Sequence, residues 1–280
     1  MMEHEFELKE GIVKDLDFKI YNKISALRSS GISDLKTPYK YWFKYISGQV
    51  EDEEENKWQV LGTALHVLVM EPDKFFQQYA IYPEGCDRRT TEGKNLYVSF
   101  CALTMGKIIL KHEDFEKVQA MANSMKSHPI YEAIFVKSQN RCIENSIFWQ
   151  HNGIWIKSRP DFYNNEIIVD IKTTKEESRD DFVKAVTKYG YHRQAALQID
   201  GLERITKRRY KYYINFVVEK KPPYLCYMTT YDDIAINQGR IEYNNASLIY
   251  AECVKNNEWP GYSGEITEIN LPEWYIRQNQ

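Results

Sequence analysis

Two short apolar runs in the second half of the chain have the composition of β-strands. The runs Ile154 to Tyr163 and Ile167 to Thr174 are rich in β-branched and aromatic residues, which strands favour. Asn164-Asn165 lies between them, and asparagine tolerates the left-handed backbone conformation that a tight turn requires. The pattern therefore predicts that the two runs pair as a β-hairpin.

Periodicity in the rest of the chain predicts an α/β fold. We expect helices over about 22–80 and, with interruptions, 91–126, a three-stranded meander near 144–174, a helix over 178–201, strands over 212–218 and 225–231, and a helix over 234–256. Ser178 can cap the helix that follows it, because Asp181 then occupies the third helical position of a capping box. This order suits a mixed central sheet flanked by helices, with a helical N-terminal elaboration. We expect one domain over 1–280, with terminal tails at about 1–22 and 275–280.

A carboxylate and an ammonium interrupt the second predicted strand. Asp170 and Lys172 stand among Ile168, Val169 and Ile171, the apolar run of a buried strand. Side chains two residues apart in a strand point to the same face, so Asp170 and Lys172 should face one site. Burying them is costly unless they are paired or bind a metal, and that cost indicates a function.

Asp161 can complete a metal site with Asp170. It follows Pro160, which has no N–H for a strand ladder and so favours an edge or a strand end, where Asp161 can turn toward the same groove. Two carboxylates suit Mg²⁺, which prefers oxygen ligands, and Mn²⁺ could substitute. The carbonyl oxygen of Ile171 is a candidate further ligand. Lys172 would orient or deprotonate an attacking water, or stabilise the developing oxyanion; the sequence leaves these roles open.

His66 lies on a predicted helix beside the apolar stripe Leu61, Leu65, Leu68 and Val69. A histidine beside such a stripe is usually a core or boundary residue, although neutral imidazole is also a common metal ligand. Both interpretations of His66 stay open on the residues alone.

A polar stripe follows the predicted hairpin. Tyr191, Gln194 and Gln198 recur at helical spacing on one face of the predicted 178–201 helix. Such a stripe is most often the solvated side of a helix, but beside an acidic strand it could instead hydrogen-bond a phosphate or a base edge.

Composition restricts the class of protein. The chain has 280 residues, and no apolar run approaches the roughly 20 residues that span a bilayer, so we expect no membrane partner. Its five cysteines are scattered and form no Cys-x-x-Cys pair, which favours a reducing cytoplasm and argues against a zinc site or a four-cysteine iron–sulfur cluster. The formal net charge is −3, so any nucleic-acid contact must rely on local basic clusters.

Several blocks of the chain, in order, resemble the RecE-type exonucleases of the PD-(D/E)xK nuclease superfamily. They are Leu61-Gly-Thr-Ala-Leu-His66, Arg88-Arg-Thr-Thr-Glu-Gly-Lys94, Glu144-Asn-Ser-Ile-Phe-Trp149, Lys157-Ser-Arg-Pro-Asp161, Val169-Asp-Ile-Lys-Thr-Thr174 and Tyr189-Gly-Tyr-His-Arg-Gln-Ala-Ala196. The resemblance extends from about 24 to 274 and implies a restriction-endonuclease-like core. Position 170 is Asp, where the superfamily most often has Glu; the RecE branch shares this departure.

The resemblance also implies an activity and partners. It implies a Mg²⁺-dependent exonuclease that degrades one strand of linear duplex DNA from 5′ to 3′ and leaves a 3′ overhang for a RecT-like single-strand annealing protein. It further implies a ring-shaped homo-oligomer of the phage or prophage recombination type, acting in the cytoplasm of a bacterial host. A restriction-like or structure-specific endonuclease of the same fold, or a DNA-binding module without turnover, remains the alternative.

The resemblance also suggests roles for individual residues. Asp161 and Asp170 are similar to the family's metal ligands, and Lys172 is similar to its catalytic lysine. His66 resembles the histidine that approaches the metals, and Glu144 resembles a further acid near them. Four more residues are expected to contact DNA or to support the site: Tyr191, Gln194, Arg88 and Arg89.

Overall fold

The computed structural model describes residues 7–49, 57–175 and 178–278. The strands are β1 (Gly11–Val13), β2 (Tyr79–Ile81), β3 (Ile108–Leu110), β4 (Cys142–Ile143), β5 (Ser146–His151), β6 (Ile154–Ser158), β7 (Phe162–Tyr163), β8 (Ile167–Thr174), β9 (Tyr212–Glu219) and β10 (Cys226–Thr230). The helices are α1 (Phe18–Lys23), α2 (Pro38–Tyr45), α3 (Lys57–Met70), α4 (Pro72–Gln78), α5 (Thr91–Leu103), α6 (His112–Lys126), α7 (Arg179–Tyr189), α8 (Tyr191–Thr206), α9 (Asp233–Asn256) and α10 (Glu273–Arg277), with a 3₁₀ helix at Ser29–Lys36 and a π-helical turn at Glu132–Val136.

A mixed five-stranded sheet lies at the centre of the fold, with strand order β10-β9-β8-β7-β4. Only β8 and β9 pair in parallel, and the other neighbours are antiparallel. Parallel neighbours need a crossover connection, which α7 and α8 supply. The expected mixed sheet flanked by helices is confirmed. The sequence did not reveal β2 and β3, which form a separate two-stranded parallel sheet.

The predicted hairpin is only partly correct. Strand β6 pairs with β5, in a three-stranded sheet that β1 completes, so the expected meander is divided between two sheets. Of the residues in the first predicted run, only Phe162 and Tyr163 pair with β8, where they lie opposite Val169 and Ile168. The physical reason is Pro160, which interrupts the ladder between β6 and β7. The turn itself is as predicted, since Asn164 Oδ1 accepts hydrogen bonds from the backbone N–H groups of the two residues that lead into β8, at 2.7 and 2.9 Å.

The predicted helix over 178–201 is two helices. Ser178 caps α7 as expected, by accepting a hydrogen bond from the N–H of Asp181 at 3.1 Å. Gly190 ends α7 in the left-handed conformation, with φ of 69°, and α8 starts at the next residue. A Cβ at Gly190 would lie 2.3 Å from the guanidinium of Arg193, so the break also makes room for that side chain.

The expected terminal tails need correction. Residues 11–22 are part of the fold, because β1 pairs with β5 and α1 packs beside it through Tyr21, whose ring lies 6.1 Å from that of Phe148. At the other terminus, residues 275–277 belong to α10. The expected tail residues 1–6 and 279–280 lie outside the described residues.

Two apolar cores lie on opposite sides of β8. Val169 and Ile171 point into the core formed with α3 and α6. Ile168, from the other face of the strand, belongs to the core formed with α8 and α9. Asp170 and Lys172 share the face of Ile168, so they point toward α8. In the described part of the chain, no helix is both long and apolar enough to cross a membrane.

A buried lysine joins the N-terminal segment to β6. Lys157 is 2% exposed, and its Nζ donates hydrogen bonds to the carbonyl oxygens of Tyr21, Asn22 and Ile24 at 2.7, 3.2 and 2.7 Å. These carbonyls belong to the C-terminal end of α1, where helix geometry leaves them without intrahelical partners. Burial, with the nearby Arg28, lowers the pKa of Lys157 to about 7. Lys157 therefore holds α1 against the sheet at an electrostatic cost.

We expect Lys157→Met to lower the free energy of unfolding by about 2–3 kcal/mol, because three carbonyl oxygens at the end of α1 lose their donor. Urea denaturation followed by circular dichroism measures the change. Lys137→Met, at an exposed position, is the matched control and should change stability by less than about 0.5 kcal/mol. Equal stabilities of the two variants would contradict this role of Lys157.

Candidate active site

Asp161 enters the site from the break between β6 and β7. Its Oδ2 accepts a hydrogen bond from the backbone N–H of Ile171 at 2.7 Å, so the carboxylate is fixed to the middle of β8. The side chain of Asp161 is only 14% exposed. The irregular backbone after Pro160 therefore turns Asp161 toward β8, as the sequence predicted.

Asp170, Lys172 and Gln194 form a closed ring of polar contacts. Lys172 Nζ lies 2.6 Å from Asp170 Oδ2 and donates to Gln194 Oε1 at 3.0 Å. Gln194 Nε2 in turn donates to Asp170 Oδ1 at 2.7 Å. The ring of Tyr191 covers the ammonium, with 4.3 Å between Nζ and the ring centroid. Helix α8 thus supplies both residues that fix Lys172 against Asp170.

His66, on α3, reaches the same strand from the opposite side. Its Nε2 lies 3.2 Å from the carbonyl oxygen of Ile171, and its Nδ1 lies 3.6 Å from Asp161 Oδ2. The imidazole therefore contacts both oxygens that the sequence named as metal ligands on this side of β8. The apolar stripe of α3 packs in the core, and His66 faces the cavity beside it.

Burial and neighbouring charges shift the pKa values of Asp161 and Lys172. Burial and, to a smaller extent, the nearby Asp170 raise the pKa of Asp161 to about 7, against the opposing effects of His66 and Lys172. Burial alone would lower the pKa of Lys172, but Asp170, Tyr191 and Asp161 together raise it above its ordinary value. With no cation bound, Lys172 is therefore an ammonium that donates hydrogen bonds.

The donors in the site fit a hard divalent cation. Asp161, Asp170 and the carbonyl of Ile171 all offer oxygen, which Mg²⁺ prefers over nitrogen. Among the described residues, no three acidic, histidine or cysteine side chains converge closely enough to hold a metal ion. Two carboxylates with a backbone carbonyl are therefore the set that the site provides, and Glu144 does not complete a cluster of three side chains.

Glu144 and the two arginines differ in their relation to the site. Glu144 lines the same cavity, and its backbone N–H donates to the carbonyl oxygen of Asp161 at 3.1 Å. Arg88 and Arg89 do not line this cavity. Arg88 lies over the ring of Tyr97, and Arg89 forms an exposed ion pair with Asp87. Their expected contact with DNA stays a prediction.

The site opens into a cavity of about 910 Å³. Beyond Asp161 and His66, its lining includes Arg28, Lys157 and Arg159. Arg28 donates to Asn22 Oδ1 at 2.8 Å, and Arg159 donates to Ser146 Oγ and to the carbonyl oxygen of Leu16. These acceptors are uncharged, so both guanidinium charges can act on a bound anion.

Sequence reasoning did not identify two buried polar residues behind Asp170. Tyr213 and Asn215 are at most 3% exposed and face the same side of the sheet as Asp170, where Gln198 of the predicted polar stripe, also 3% exposed, meets Tyr213. A signal was present, because Tyr213 and Asn215 stand two apart in an otherwise apolar strand, the same spacing as Asp170 and Lys172.

Comparison with known proteins supports the fold. The family model described as "PDDEXK-like domain of unknown function (DUF3799)" matches residues 28–272. A crystal structure from Eubacterium rectale, described as a "Putative exonuclease", has a TM-score of 0.57 and 14% identity, and the match covers 94% of this chain and 98% of that chain. The structure of LHK-Exo in complex with dAMP has a TM-score of 0.27 and 14% identity, over 69% of this chain and 89% of that one. No curated protein sequence matches the chain.

We expect Lys172→Met to destabilise the protein by about 3–5 kcal/mol in the presence of EDTA, because the variant leaves the buried Asp170 carboxylate without its cation. The control is Lys184→Met, which breaks an exposed ion pair with Asp181 and should leave the stability almost unchanged. Urea denaturation compares the two. A Lys172→Met variant as stable as the control would show that this ion pair does not compensate a buried charge.

Proposed function

We propose, on the premise that this chain belongs to the DUF3799 family of PDDEXK-like domains, that it is a divalent-metal-dependent nuclease acting on DNA. The observation that carries this proposal is the juxtaposition of three groups: Asp161 lines the cavity, and its carboxylate is fixed to β8 between Asp170 and the ammonium of Lys172. Two buried carboxylates side by side destabilise a fold unless a cation balances them, and a phosphodiester brings further negative charge that needs compensation.

The residues have distinct roles in this proposal. Asp161, Asp170 and the Ile171 carbonyl would hold Mg²⁺, with Mn²⁺ as a substitute. The bound ion would acidify a water molecule and offset the charge of the scissile phosphate. Lys172 keeps its proton and stabilises negative charge at the phosphate, and Gln194 and Tyr191 hold its ammonium in place. His66 positions the carbonyl of Ile171 and the carboxylate of Asp161.

We further propose that the substrate is an end of linear duplex DNA and that one strand is degraded from 5′ to 3′. The cavity supports an end-directed reaction, since the N-terminal segment lines it beside the acids and Lys157 anchors that segment. Arg28 and Arg159 lie in the same cavity and could bind a terminal phosphate. The 3′ overhang would then pass to a single-strand annealing protein in recombination.

We expect the protein to degrade a linear duplex in Mg²⁺. A label placed at the 5′ end of a strand should be released as a mononucleotide before a label placed at its 3′ end. EDTA should abolish the reaction. The measurement is a time course on duplexes labelled separately at each terminus, beside covalently closed circular DNA of the same sequence. Prompt nicking of the circle would contradict the exonuclease proposal and favour an endonuclease of the same fold.

The variant for this assay is Asp161→Asn, which keeps the shape of a side chain whose pKa is already raised to about 7, so the fold should tolerate it. It should reduce the rate by about a thousandfold or more, because a metal ligand contributes several kcal/mol to the transition state. Asp73→Asn, on an exposed position of α4, is the control and should retain full activity. Unchanged hydrolysis by Asp161→Asn would exclude Asp161 from the reaction.

We also propose that copies of this chain assemble, as a ring would require. The supporting observation is a set of exposed apolar side chains on α5, on β3 and near the C-terminus, such as Leu96, Val98, Leu103, Ile109 and Ile269. Exposed apolar side chains are characteristic of interaction sites where they form a contiguous surface. Trp259, near the C-terminus, packs instead on Tyr41 of its own chain, with 6.0 Å between the ring centroids.

We expect Leu103→Glu, at an 82% exposed position of α5, to shift the protein toward the monomer, because a charge in an apolar interface is costly to desolvate. Light scattering coupled to size-exclusion chromatography measures the mass. Val183→Glu, on the exposed face of α7, is the control and should keep the mass of the unmodified protein. A monomeric unmodified protein would contradict the assembly without affecting the proposed chemistry.

A further inference from the structure

A row of polar side chains crosses the central sheet directly behind the candidate site. Asp170 on β8 is the register partner of Asn215 on β9, and Asn215 is the register partner of Thr229 on β10. Asp170 and Asn215 are 1% and 0% exposed, in strands that are otherwise mostly apolar. Polar groups in such a position cost stability, and an apolar row would pack better. This cost in stability indicates that the polar row has a function.

Tyr213 connects this row to helix α8. It precedes Asn215 by two residues, so it lies on the same face of β9. Its hydroxyl lies 3.1 Å from Gln198 Oε1 and is also within hydrogen-bonding range of the Asp170 carboxylate. Gln198 follows Gln194 by one turn of α8. Gln194 therefore contacts Asp170 itself, whereas Gln198 contacts Tyr213.

The hydroxyl of Tyr213 has one proton and can donate it to only one acceptor at a time. The ionised carboxylate of Asp170 is a stronger acceptor than the neutral amide of Gln198. Turning the Gln198 amide by 180° exchanges its oxygen and nitrogen, so that its N–H can donate to the hydroxyl oxygen while the hydroxyl donates to Asp170. The chain of donors then runs from Gln198 through Tyr213 to the carboxylate.

Asp170 therefore has polar neighbours on two sides. Lys172 and Gln194 contact it from the cavity side, at 2.6 and 2.7 Å, whereas Tyr213 approaches it from the interior of the sheet. A cation entering the cavity competes with Lys172 and Gln194 for the carboxylate oxygens, but it cannot displace a fully buried tyrosine. The hydroxyl of Tyr213 can therefore still donate to Asp170 when a cation occupies the cavity side.

We propose that Tyr213 is a positioning residue that fixes the orientation of the Asp170 carboxylate for a divalent cation, with Gln198 orienting the hydroxyl. This inference rests on the proposed function in one respect, namely that the site binds such a cation. Groups that hydrogen-bond metal ligands typically change metal affinity by about 10- to 100-fold when they are removed. Tyr213 is expected to act in that way without touching the substrate.

The test compares Tyr213→Phe with Tyr163→Phe. Both tyrosines are 3% exposed in the same sheet, and both substitutions remove one hydroxyl, but the Tyr163 hydroxyl contacts Asn145, away from the acids. Isothermal titration calorimetry with Mn²⁺ on the metal-free full chain, without DNA, measures cation affinity. We expect affinity to fall about tenfold or more in Tyr213→Phe and to stay within about twofold in Tyr163→Phe. In turnover, kcat should fall while KM for DNA stays constant.

The outcomes separate this inference from the proposed function. Unchanged Mn²⁺ affinity in Tyr213→Phe overturns the positioning role, whatever the nuclease assay shows. Equal losses in both variants also overturn it, since general loosening of the sheet would then explain the effect. If Tyr213→Phe does not fold, Gln198→Met tests the same chain of donors from α8 and should also weaken Mn²⁺ binding, and unchanged affinity would again refute the role. An unmodified protein that binds no Mn²⁺ refutes the proposed function itself, and this inference with it.

Discussion

A buried carboxylate in the centre of a parallel strand pair constrains the whole fold. Asp170 has apolar neighbours along β8 and is 1% exposed, so its charge must be balanced within a few ångströms. Lys172 supplies the opposite charge from the same strand, and Gln194 closes the ring from α8. Because β8 and β9 are parallel, the chain must cross over between them, and that crossover places α8 where the amide of Gln194 reaches Asp170.

The other side of the site depends on a second buried charge. Lys157 fixes the carbonyls at the end of α1, and this brings residues 15–22 to the rim of the cavity beside Asp161. Arg28 and Arg159 enter the same cavity with uncharged hydrogen-bond partners. The fold therefore places two guanidinium groups in the same cavity as Asp161, and they can offset part of the charge of a phosphodiester that approaches two carboxylates. Membership of a PDDEXK-like family and the fold similarity to the Eubacterium rectale protein agree with this arrangement.

The differences between the expected and observed fold have specific causes. Both predicted runs of the hairpin are strands, but Pro160 divides the first run, and its longer part pairs with β5 in another sheet. Gly190 divides the expected 178–201 helix, and the short strands β2 and β3 are too brief to leave a clear periodic pattern. Residues 11–22 carry no strong signal of their own and are ordered by contacts with β5 and Lys157, which lie far away in sequence.

The amino-acid sequence by itself determined the features that arise from local geometry. Asp170 and Lys172 share a face because side chains alternate along a strand, and Asn164 and Ser178 form their turn and cap through neighbouring backbone groups. Only the tertiary structure decided which distant residues meet these acids. His66 reaches Ile171 across 105 residues, and Tyr213 reaches Gln198 from a strand beyond the crossover. Such contacts depend on sheet order and helix packing, which local residue spacing does not encode.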